Sequence, residues 1–172
     1  MKYITHKVKP YITILKKQTD SQSYAEQLHF ALMICKKLYF EYKNFVDKYQ
    51  WGDSDLLMDT IMFCENSIEK PTDLIRINEL LPKIDSIIPD MDDYESDYQA
   101  SYAFNASISI YETLEFIKDQ DKTHIHNIAT YYTDTIDFKI QEEKKLTELE
   151  IENHPLMIEA WNFIIEQTKH GA

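Results

Sequence analysis

The chain has 172 residues, 44% of them hydrophobic and 28% charged, with 18 Lys and Arg against 30 Asp and Glu for a net charge of -12. This composition describes one globular domain large enough to bury a core without disulfides or metal, and it excludes a disordered chain. With only two glycines and five prolines, it also excludes a many-stranded sandwich and every glycine-rich phosphate loop.

The predicted elements are helices end to end. Val8, Tyr11, Ile12 and Leu15 have helical spacing within Tyr3 to Lys17, where Pro10 can interrupt. Asp20 to Ser23 is a polar break. Ser23 and Glu26 have the form of a capping box, so a long second helix follows through Leu28, Leu32, Cys35, Leu38, Tyr39, Tyr42 and Val46. Trp51-Gly52-Asp53 ends it: Gly52 suits a left-handed turn and Asp53 can cap a third helix reaching Ser67.

Glu69 to Thr72 is a turn. Leu74 to Ile88 is helical with a kink or break expected at Pro82, and Ile88-Pro89 stops it. An acidic loop covers residues 89–97. Ala100, Ala103, Ala106, Ser107 and Ser109 make Tyr98 to Lys118 the expected central helix, because small side chains permit close approach. Thr123 to Lys145 is amphipathic, Glu150 to Pro155 reads as a link, and a last helix from His154 to Lys169 starts with Pro155 in its first turn. The expected fold is all-α: a single helical domain over residues 1–172 with about seven helical segments.

Charge is the informative feature for function. Residues 1–50 carry a net of +5 and residues 51–172 a net of -17, and no basic residue lies between Lys83 and Lys118. Such a field repels nucleic acid, which is bound by Lys and Arg neutralising phosphates. It attracts a basic protein and speeds the encounter. Acidity also keeps a protein soluble without any partner. The expected partner surface is Asp90, Asp92, Asp93, Glu95 and Asp97, with Tyr94 and Tyr98 as anchors, since tyrosine gives rigid contact area at interfaces.

Enzyme chemistry finds little support. Glu26 and His29, like Asp121 and His124, have the spacing of di-iron carboxylate pairs. Glu26 already serves the capping box, and Asp121 falls where a helix cap is wanted. His124 and His126, two apart on a helix, point away from each other. Asp90, Asp92 and Asp93 lack the glycine of a calcium loop. Cys35 and Cys64 read as reduced core thiols. The expectation is therefore no catalytic residue, no metal and no cofactor. No apolar run reaches the roughly 18 residues of a membrane span, and the start of the chain has no signal-peptide core, so the expected location is cytoplasmic.

Runs of residues along the chain give a resemblance. They are Cys35-Lys36-Lys37-Leu38-Tyr39-Phe40-Glu41-Tyr42 with Phe45, then Gly52-Asp53, then Ile88-Pro89 and the acidic stretch. Tyr102 to Ser107, Glu152-Asn153-His154-Pro155 and Glu159-Ala160-Trp161 follow. In order and spacing they resemble the YjaG-like family of uncharacterised bacterial helical proteins, from about residue 25 onward. Phe40 stands where that family tends to have proline, Asn105 where it has aspartate, and the basic pair after Gly52-Asp53 is missing. The resemblance implies an all-helical fold, no established activity and a link to immunity proteins of bacterial toxin systems. The leading expectation is thus a non-enzymatic, immunity- or antitoxin-like module that neutralises a basic toxin domain such as a nuclease. The alternatives are a housekeeping helical homodimer and a carboxylate/His metal enzyme.

Overall fold

The computed structural model describes residues 8–94 and 97–169. Its elements are α1 (Val8–Ser21), α2 (Tyr24–Tyr49), α3 (Ser54–Asn66), α4 (Leu74–Asp85), a 3-10 turn (Met91–Tyr94), α5 (Tyr98–Asp119), α6 (Thr123–Glu143), α7 (Glu148–Glu152) and α8 (Pro155–Thr168). Helix of either kind makes up 82% of the described residues, with no strand among them. The all-α expectation holds. None of the described helices is long and apolar enough to cross a membrane.

The long helices pack where their side chains allow. The α2–α5 pairing is the most extensive, and α5 lies against α6 on another side. Ala100, Ala103, Ala106, Ser107 and Ser109 are all buried, so α5 is the central helix that its small residues predict. Its buried hydroxyls are satisfied locally. Ser107 Oγ donates to the Ala103 carbonyl at 2.8 Å, Ser109 Oγ to that of Asn105 at 2.6 Å and Thr113 Oγ1 to that of Ser109 at 2.8 Å. Small polar residues therefore enter this core without orphaned donors, whose desolvation would cost about 1–3 kcal/mol each. Around this layer, α3 packs on α2 and α4 on α5, while α8 joins α1 to α6.

Several helix ends follow the sequence signals. Ser23 and Glu26 form the capping box, and Asp53 Oδ1 accepts from the Leu56 amide at 2.8 Å. Pro155 opens α8. Gly52 has φ +95°, and a Cβ there would meet Tyr42 Oη at 2.5 Å. The buried Tyr42 hydroxyl donates to the Ile87 carbonyl at 2.8 Å and accepts from the Asp53 amide at 3.3 Å. One side chain of α2 thus joins the end of α4 to the start of α3.

Four local expectations are corrected. The first helix runs to Ser21 rather than Lys17. Side chains from elsewhere secure its end: Gln27 Nε2 donates to the Thr19 carbonyl at 2.7 Å. Pro10 lies in the first described turn and makes no break between Val8 and Ser21; the part before Val8 lies outside the described residues. Of the kink or break expected at Pro82, the break is absent: Pro82 sits inside a continuous α4, which ends three residues later at Asp85. The link expected at Glu150 to Pro155 contains the end of α7, which Thr147 and Glu150 start with a second capping box.

Candidate functional site at the acidic turn

The acidic stretch is tied down. Pro89 before it is buried. Asp90 Oδ1 accepts from the Asp92 amide at 3.0 Å, and the Asp93 amide donates to the Asp90 carbonyl at 3.2 Å. These bonds hold a single 3-10 turn, Met91–Tyr94. Asp90, Asp92 and Asp93 are exposed.

Tyr94 anchors that turn from within the molecule. Its ring lies edge-on to Phe45 at 4.9 Å and to Tyr49 at 4.7 Å, with Trp51 at 6.4 Å. Each such pair contributes about 0.5–1.5 kcal/mol beyond area burial. Tyr94 is only half-buried, but its ring is occupied by the fold.

Asp97 is also occupied. It caps α5 by accepting from the Gln99 amide at 2.9 Å, and its other oxygen accepts from Lys48 Nζ and Tyr49 Oη at the end of α2. Burial opposes its charge, but these hydrogen bonds outweigh it and hold the carboxyl below its ordinary range. Tyr98 is half-buried, with its ring 6.3 Å from that of Phe138. Glu95 lies outside the described residues.

Five of the seven expected residues therefore divide by role. Asp90, Asp92 and Asp93 present carboxylates to solvent; Tyr94 and Asp97 fix the turn to α2 and α5. Two residues beside them escaped the sequence reading. Met91, within the turn, is 42% exposed, and Trp51, against Tyr94, is 38% exposed. Trp51 was legible only as a helix terminator, because its neighbour in space is 43 positions away in the chain. Together the exposed atoms offer carboxylates around a small apolar spot, an arrangement that can grip a basic protein surface.

The residues weighed for chemistry go elsewhere. Glu26 is half-buried in its capping box and His29 is exposed. Asp121 Oδ1 accepts from the Thr123 amide at 2.8 Å. His124 contacts Glu112 through Nδ1 and Asp119 through Nε2 at 3.2 Å, whereas His126 Nε2 meets Thr19 Oγ1 at 2.9 Å. Cys35 and Cys64 are fully buried free thiols, and burial pushes Cys35 up to about 12. Among the described residues, no three His, Cys, Asp or Glu side chains converge as metal ligands.

Comparison with known proteins bears on the fold. The family described as "Protein of unknown function (DUF416)" matches residues 15–169. Among solved structures, the chain is similar to the crystal structure of a DUF416 family protein from Shewanella baltica OS155. The TM-score is 0.76 at 20% identity, over 88% of this chain and 82% of that one. No curated protein matches it in sequence.

Proposed function

This chain belongs to the DUF416 family of proteins of unknown function, and we propose that it works by binding a basic protein partner, not by catalysis. The supporting observation is the acidic turn. Asp90, Asp92 and Asp93 are exposed on a backbone held by the Tyr94 aromatic cluster. A rigid acidic surface steers a Lys- and Arg-rich partner without a large ordering cost on contact. Trp51 and Met91 beside it supply apolar contact, and Tyr98 flanks it.

The finer part of the proposal is a YjaG-like, immunity-related role: the partner is a toxin domain, and a nuclease is the best-fitting class. A nuclease carries a basic surface to bind phosphates, and an acidic protein can occupy that surface in place of nucleic acid. The action would be cytoplasmic. The test is affinity purification from the native host, followed by association kinetics with the retained protein. A basic partner that binds wild type faster than Asp90→Asn/Asp92→Asn/Asp93→Asn supports the reading; an acidic partner, or equal rates, contradicts it.

Self-association is the second reading. Phe40 on α2 is 65% exposed, beside a surface groove lined by Leu32 and Met33. Gel filtration of wild type against Phe40→Glu tests it: a dimer that the substitution dissociates favours this reading, and a monomeric wild type removes it.

A further inference from the structure

The corner between α5 and α6 is built around His124. Its Nδ1 contacts Glu112, and its Nε2 contacts Asp119 at 3.2 Å. An ionised carboxylate accepts hydrogen bonds and donates none, so each ring nitrogen must carry a proton for both contacts to be bonds. The geometry therefore selects the imidazolium. A neutral ring has a single N–H and turns a lone pair toward the other carboxylate.

The two contacts are unequal. The Glu112 side chain is 14% exposed and also accepts from Asn127 Nδ2 at 3.1 Å, so it is held in place and depends on protein donors. The Asp119 side chain is 47% exposed and can turn to water. A neutral His124 thus keeps Nδ1–H on Glu112 and gives up Asp119. The backbone of the corner hangs on that carboxylate. Asp119 Oδ1 accepts from the Asp121 amide at 2.8 Å, and Asp121 Oδ1 accepts in turn from the Thr123 amide at 2.8 Å. Between them Gln120 has φ 60°, a left-handed conformation that is unfavourable for a non-glycine residue. Lys122, in the same corner, donates through Nζ to the Asp20 carbonyl at the end of α1, at 2.9 Å.

We propose that this corner is a proton-operated clasp: doubly protonated His124 ties Asp119 to Glu112, and loss of the Nε2 proton to solvent releases Asp119 and loosens residues 119–123. Among the described residues, the charged groups facing His124 are Glu112 and Asp119 of α5 and Asp121 of the corner, all acidic. Tyr131, on α6, faces Glu112. Lys16 and Asp20 of α1 act instead on His126, whose ring meets Thr19. Burial opposes the His124 cation, but the hydrogen bonds to Glu112 and Asp119 outweigh it and raise its proton affinity. Release therefore falls above about pH 6.5. The device is independent of the acidic turn.

Heteronuclear magnetic resonance of the isotope-labelled full chain tests the clasp. Long-range proton–nitrogen spectra report whether each ring nitrogen carries a proton, and backbone relaxation reports the order of residues 119–123, across roughly pH 5.5 to 9. We expect both His124 nitrogens protonated at the acid end and Nδ1–H alone at the alkaline end. Order parameters at Asp121, Lys122 and Thr123 should fall from about 0.85 toward about 0.6 with the same midpoint, while Thr113 and Ile117 within α5 stay near the rigid value. Asp119→Asn removes the carboxylate that the clasp releases. It should lower the His124 midpoint and leave the order of the corner unchanged across that titration, and thermal unfolding verifies that the variant is folded. Loss of the proton from Nδ1 rather than Nε2, or wild-type order at residues 119–123 that does not change as His124 titrates, would overturn the proposal.

Discussion

The Tyr94 ring stands edge-on to that of Tyr49, with centroids 4.7 Å apart, and so fastens the acidic turn to the end of α2. Tyr49 reaches the same region twice, because its hydroxyl also donates to Asp97 at the start of α5. Tyr94→Ala should lower stability by about 3 kcal/mol, at the lower end for a large-to-small aromatic change because the ring is only half-buried. It should also slow partner association, since a loosened turn presents its carboxylates less well. Urea unfolding measures the first effect and stopped-flow mixing the second. A stability equal to wild type would show that the aromatic cluster does not hold the turn.

Gly52 and Tyr42 make a second test. Gly52→Ala places a Cβ at a positive φ and against the Tyr42 hydroxyl, and the backbone strain alone should cost about 1–3 kcal/mol. Tyr42→Phe removes the oxygen that the Cβ would meet, but leaves the Ile87 carbonyl and Asp53 amide without that partner. The two substitutions should therefore be non-additive, with Gly52→Ala less damaging in the Tyr42→Phe background. Strict additivity in denaturant unfolding would contradict the contact.

His124 and His126 should act on stability in opposite directions. Burial disfavours the His124 cation, but the hydrogen bonds to Glu112 and Asp119 outweigh it and raise its pKa. Its stabilisation is full below the unfolded value of about 6.5 and fades as pH rises through the folded value. For His126, burial is the main cause and lowers the pKa. Its contribution is full above about 6.5 and is lost as pH falls through the folded value. Melting temperatures across this range should thus rise more steeply with pH in His124→Asn than in wild type, and less steeply in His126→Asn. The same slope in all three would contradict these assignments.

Cys35 and Cys64 should resist alkylation in the folded protein. The attacking form is the thiolate, and burial raises both thiols, Cys35 to about 12 and Cys64 well above its ordinary value. Labelling by iodoacetamide should follow unfolding, with the two sites modified together in urea. Rapid modification of either in native buffer would show an accessible thiol.

Local signals in the chain carried the fold well and the sites unevenly. The capping boxes at Ser23 and Thr147 obey the same rule, yet only the first stands out in the sequence as a helix start, because a long apolar stripe follows it whereas α7 spans five residues. The small residues of α5 foretold its central place, since close packing leaves a compositional mark. The acidic turn was visible as a run of charge. That Tyr94 and Asp97 serve the fold was not, because Phe45, Tyr49 and Lys48 reach them from another helix.

The measurement that tests the binding account most directly is association kinetics across ionic strength. Wild type and Asp90→Asn/Asp92→Asn/Asp93→Asn would each be mixed with the protein that co-purifies from the native host. If the acidic turn steers the partner, wild type associates above the unsteered ~10⁵–10⁶ M⁻¹s⁻¹ at low salt. The triple variant then associates more slowly, with a flatter salt dependence and an unchanged melting temperature. Equal rates and equal salt dependence in the two proteins would contradict the account.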